Sequence, residues 1–206
     1  MSIQSYLLSG SNFKKAKTLT QEAQHQTGEK ADQLFQQAYD CFSAISPSYS
    51  KYADTVHCWG FSIINQAQTK TANDAIKLFE QAIDKFSLCK TITPQHLGAA
   101  VDGGVALLGL AEAKELDLTD ELYQKAKKSF EAAEKIQSGS ASYNLACIYA
   151  LQNKGDACLK ALENAREHGL IPDEKDIIDD DDLQNVKKLS WFAEYIESLS
   201  EEQAEN

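Results

Sequence analysis

Arginine is almost missing from this chain: of 20 basic residues only Arg166 is an arginine. The forked donor preferred for bidentate contact with phosphate or carboxylate is therefore nearly absent, which argues against nucleotide sites. Positive charge is scarce as a whole, since 31 acidic residues give a formal net charge of -11. A phosphate backbone is held chiefly by Lys and Arg that displace counterions, so no nucleic-acid partner is expected. Proline is rare, with 3 in 206 residues, and the long intervals between prolines are rich in Ala, Leu, Lys, Glu and Gln, which enter helices at least cost. The five cysteines, Cys41, Cys58, Cys89, Cys147 and Cys158, are odd in number and form no CxxC pair. Neither a disulfide framework nor a zinc knuckle is expected from them, and a reducing cytoplasm fits. No stretch approaches the length of a membrane span, and Met1 to Leu8 lacks the basic start and long apolar run of a signal peptide. The expectation is a cytoplasmic chain with no membrane partner.

What is present is the balance of a folded globular protein, 43% apolar and 25% charged, at a length for which one domain is expected. The charge is uneven. From Ile171 to Asn206 there are 12 acidic residues against 3 lysines, leaving the rest of the chain close to neutral.

One small-large-small pattern occurs four times, as Ala31-Phe35-Ala38, Ala75-Phe79-Ala82, Ala126-Phe130-Ala133 and Cys158-Leu162-Ala165. Spacings of four and three put the three residues of each set on one helical face, where the small pair admits a neighbouring backbone and the large one fills the gap. Another helical stretch precedes each pattern, and Ser46-Pro47, Thr93-Pro94, Ser138-Gly139-Ser140 and Gly169 to Pro172 mark turns between the pairs. Trp59 lies ahead of Ala75, Leu108-Gly109 ahead of Ala126, and Tyr143-Asn144-Leu145-Ala146 with Tyr149 ahead of Cys158. On these residues the chain resembles the tetratricopeptide-repeat family, and Ser142 to Ile196 resembles the closing group of bacterial members.

The resemblance implies an all-α chain of antiparallel helix pairs, at 14–45, 51–89, 95–137 and 140–169, stacked as a right-handed superhelix. The anchors Ala31, Ala75, Ala126 and Cys158 are unevenly spaced, where a regular array would step evenly. The first unit is the weakest match, with helical periodicity only from Lys14 to Gln26. After Asp179 to Asp182, the residues Leu183, Val186, Leu189, Phe192, Tyr195, Ile196 and Leu199 recur at helical spacing, so a capping helix is expected over 182–199, followed by an acidic tail at 200–206.

Signals for chemistry are weak. The four consecutive aspartates lack the alternating ligands, central Gly and final Glu of a calcium loop. Gly98, Gly103, Gly104 and Gly109 are not followed by a GK[ST] motif, and read as close helix packing. His57 and Cys58 are adjacent, but neighbours on a helix point apart and no third, orienting group is evident. His25 and His96 lack metal-ligand spacing. No metal, cofactor or catalytic residue is expected, and the chain reads as no enzyme.

By the resemblance, the first helix of each pair lines a concave groove. Its inward positions are then His57, Gly60, Ile64 and Ala67, next Gly103, Ala106, Leu110 and Ala113, and last Ser140, Tyr143, Cys147 and Ala150. Only Asn144 matches the carboxylate-gripping pattern of chaperone-binding members. The expectation is a bacterial adaptor or assembly factor that holds a protein, peptide or amphipathic helix through His57, Ile64, Leu110, Tyr143, Asn144 and Cys147. The alternative is a self-associating scaffold or regulatory subunit whose groove is filled by a second copy or by its own chain.

Overall fold

The structure is a computed structural model that describes residues 2–205, with side chains up to Ser200. Ten α-helices, one 3-10 turn and no strand are found among the described residues, and consecutive helices pack in pairs. The chain, expected as one domain, divides into two compact units, one ending at Ala126 and the other beginning at Lys127.

The first unit holds α1 (Ile3–Gln24), α2 (Gly28–Ser43), α3 (Tyr52–Ala67), α4 (Ala72–Ile92), α5 (Leu97–Ala113) and the start of α6 (Glu121–Ile136). Helix α1 begins well ahead of Lys14 because the Ser2 hydroxyl accepts the Ser5 amide and supplies its N-cap. The second unit holds the rest of α6, then α7 (Ser142–Leu151), α8 (Gly155–Glu167), α9 (Glu174–Asp179), the 3-10 turn Asp181–Leu183 and α10 (Ser190–Glu205).

All twelve residues of the four small-large-small sets are buried. Their packing follows the geometry that the spacing implied. A β-carbon added at Gly109 on α5 would stand 2.5 Å from the Phe79 ring, and one at Gly60 on α3 would stand 2.9 Å from Phe86. Each large side chain of α4 thus fills a space that only a missing side chain leaves open. Gly98 meets His57 in the same way, and Gly103 and Gly104 are buried.

The turns are built by named groups. Glu134 accepts the amides of Gly139 at 3.0 Å and Ala141 at 2.7 Å, and also takes the side-chain amide of Asn164 at 3.0 Å. That one carboxylate fixes the link between α6 and α7. Helix α8 stops at Gly169, whose φ of 65° lets the Leu170 amide return to the Ala165 carbonyl at 2.9 Å.

The expected single helix over 182–199 is corrected. Successive amides of Val186, Leu189 and Phe192 bond to the carbonyls three residues back, at Leu183, Val186 and Leu189. A chain of such tight turns keeps every third residue on one edge, as a helix does, so the apolar spacing alone did not separate the two. Only from Ser190 does the segment become α-helical. Leu183, Val186, Phe192, Tyr195 and Leu199 share one core with Ala146, Ala150, Cys158 and Leu162, with Ile196 packed against it, whereas Leu189, expected in the same apolar face, is 37% exposed. Ile177 on the unanticipated helix α9 joins them. Of the acidic tail at 200–206, the side chains beyond Ser200 lie outside the described residues.

Candidate partner-binding groove

The expected inner positions do not form one open surface. Ile64 and Leu110 are buried in the first unit's core with Val56, Ile63, Phe79 and Phe86. This corrects their assignment as groove-lining residues, since contacts within the chain consume them.

His57 is half-buried and ties α3 to α5. Its Nε2 donates to the Asp102 carboxylate at 2.7 Å, and its ring lies 4.8 Å from that of His96. Burial alone would lower its pKa, but hydrogen bonds to Asp102 and Cys58 and the Asp102 charge outweigh it and hold the imidazole at about 9. His96 is locked as well. Its Nδ1 accepts the Ala99 amide at 3.1 Å, capping α5, while its Nε2 faces Asp54 at 3.3 Å. Asp102 is the orienting carboxylate for His57 that the sequence did not reveal. Both His57 and Cys58 stand inside α3, and the first turn of α5 packs against the His57 ring at Gly98.

In the second unit the expected inner face is covered by the chain itself. The Tyr143 hydroxyl donates to Asp180 at 2.7 Å, and the Cys147 thiol approaches the same oxygen at 3.6 Å. Burial, and then the nearby carboxylates, push both groups well above their ordinary pKa. Burial and the neighbouring aspartates also raise Asp182. Cys147, Asp180 and Asp182 bring ligand atoms within 4.8 Å of one another. The two Asp180 oxygens are already engaged, one by Tyr143 and Cys147 and the other by the Asp182 amide at 2.8 Å. A cation would have to compete with those bonds. Asn144 is half-buried nearby in the chain on α7.

An open groove exists elsewhere, along α1. One cavity of about 200 Å³ between α1 and α3 is lined by Lys17, Gln21, Gln24, Cys58 and Phe61. Its walls are joined by Thr20 donating to Ser62 at 2.8 Å and Gln24 donating to Asn65 at 2.7 Å. A second cavity of about 620 Å³ continues from it, lined by Tyr6, Leu7, Phe13, Lys14, Tyr49 and Lys51, with Lys17 shared between the two.

The stripe that borders the cavity is therefore Cys58, Phe61 and Asn65 on α3 with Gln68 at its C-cap, Cys58 and Asn65 half-buried and the other two exposed, one residue later than the expected His57, Gly60, Ile64 and Ala67. Trp59 explains the offset. Its ring stacks on Phe42 at 6.1 Å and lies 3.7 Å beneath the Lys85 ammonium. The tryptophan thus faces α2 and α4 and takes Gly60 against Phe86 with it. One signal for the second cavity was legible but unread: residues 1–21 contain Lys14, Lys15 and Lys17 and no Asp or Glu.

No family model matches the chain, and no curated protein or solved structure matches it either.

Proposed function

We propose that this chain is a non-catalytic, tetratricopeptide-repeat-like adaptor or assembly factor, cytoplasmic and of bacterial type, that holds a protein partner in the groove along α1. The observation that carries this reading is Phe61. It is an aromatic side chain 42% exposed, standing on a wall that Thr20, Ser62, Gln24 and Asn65 hold in place. An exposed aromatic in a preformed concavity is the arrangement of an interface anchor, and such anchors commonly contribute about 2 kcal/mol or more. Lys17 and Gln21 beside it provide polar contacts that select orientation.

The test is affinity capture from a bacterial lysate, with mass spectrometry, using the full chain and Phe61→Asp. The variant is expected to fold normally, because Phe61 is solvent-facing, and to lose at least tenfold of the captured partner. Equal capture by a folded Phe61→Asp chain refutes the groove. The alternative, a groove filled by the chain itself, is favoured for the second unit by the Tyr143–Asp180 contact. There a Tyr143 substitution is expected to act on stability, not on partner capture.

A further inference from the structure

The larger cavity along α1 is basic in a chain that is otherwise acidic. Lys14, Lys17 and Lys51 line it with Tyr6, Leu7 and Phe13, and none of these lysines forms an ion pair among the described residues. Leu7 is 65% exposed at its edge and Ile3, one turn away, is exposed too. This is apolar surface with uncompensated positive charge around it, which an apolar side chain flanked by carboxylates would satisfy at once.

The same chain carries that complement. Helix α9 and its flanks present Asp173, Asp176, Asp179 and Asp181 to solvent against one exposed lysine, Lys175, and Ile178 lies exposed beside Asp173, Glu174 and Lys175. None of these carboxylates forms an ion pair among the described residues. At about 1.5 Å per residue the six residues of α9 span about 9 Å, and Ile177 anchors the helix in its own core, so only its exposed edge enters the cavity.

We propose that the basic cavity of one copy receives the acidic ridge around α9 of a second copy. Ile178 seats against Tyr6, Leu7 and Phe13 at the edge of the cavity, and the acidic surplus of Asp173, Asp176 and Asp179 over Lys175 faces Lys14, Lys17 and Lys51. The proposal rests on the groove reading above and names the occupant of the groove's basic end. The two surfaces differ, so the contact is heterologous and generates rings or open chains of copies. A patch this small, held by rim charges, associates weakly and loses its attraction as salt screens it.

Sedimentation velocity of the full chain, from micromolar to several hundred micromolar, tests this at about 50 mM and about 500 mM salt. The weight-average mass is expected to rise with concentration at low salt and to stay at that of one copy at high salt. A Lys14→Glu, Lys17→Glu, Lys51→Glu chain is expected to remain monomeric, as is an Asp173→Lys, Asp176→Lys, Asp179→Lys chain. Both sets lie on the surface and circular dichroism checks their fold. Mixing the two charge-reversed chains is expected to restore association. A wild-type chain that is monomeric throughout overturns the proposal, as does association indifferent to the lysine reversals. Lysine-dependent binding to phosphatidylserine vesicles without self-association overturns it in favour of a membrane surface. Phe61→Asp lies in the other cavity and is expected to self-associate normally, so failure here is distinguishable from failure of the partner-capture reading.

Discussion

Replacing Asp102 by Asn keeps the shape of the side chain but removes the charge that His57 leans on. In the wild type the imidazole is held at about 9 against an ordinary 6.5. That difference corresponds to roughly 3 kcal/mol favouring the protonated form in the folded state. The two side chains are about one-fifth exposed, 21% and 22%, so solvent screening reduces the stabilisation to about 2 kcal/mol. Because the folded pKa is raised, this stability is fully present below about pH 6.5 and is lost as pH climbs to about 9. Asp102→Asn is therefore expected to melt about 4–8 °C below wild type at pH 6, with the gap closing by pH 9.5. Thermal melts across that range read the gap, and the His57 ring resonances in the NMR spectrum read the titration. A gap that is the same at pH 6 and pH 9.5 refutes the charged pair and leaves only a neutral hydrogen bond.

Three further outcomes are expected. Removing residues 182–206 strips Leu183, Val186, Phe192, Tyr195 and Leu199 from their shared core, each worth about 1.5–3 kcal/mol when buried; melting with light scattering is expected to show a lower transition and aggregation. Gly109→Ala places a β-carbon 2.5 Å from the Phe79 ring and is expected to cost about 1–3 kcal/mol by urea denaturation, whereas the same change at Gly28, where φ is +61° and no atom lies within 4 Å, is expected to cost about 1 kcal/mol from backbone strain alone. Tyr143→Phe deletes the hydroxyl bonded to Asp180 and is expected to cost about 1–2 kcal/mol in the same assay while leaving partner capture unchanged.

Helices and their paired packing were legible because burial imposes a period on the sequence. Phe35, Phe79, Phe130 and Leu162 are each flanked by small residues at fixed offsets, and that combination has few uses besides close helix contact. The face left open was harder to read. It depends on which way Trp59 turns, and a rotation of one residue, about 100°, exchanges Ile64 for Asn65 and Gly60 for Phe61. The partnership of His57 and Asp102 was hidden for a different reason. It joins residues 45 apart in the chain, and no local periodicity encodes a contact between two polar side chains on separate helices. The fate of Tyr143 depended on where Asp180 comes to rest, which follows from the turns after Gly169 and not from α7 itself.

The two tryptophans are distributed one to each unit. Trp59 lies between Phe42 and Lys85 in the first, and Trp191 packs beside Phe192 in the second. Each unit therefore carries its own intrinsic fluorophore. In a Trp191→Phe chain the emission reports only the surroundings of α3, and in a Trp59→Phe chain only those of α10. Stopped-flow unfolding of these single-tryptophan chains gives a separate optical clock for each half of the polypeptide without any attached dye.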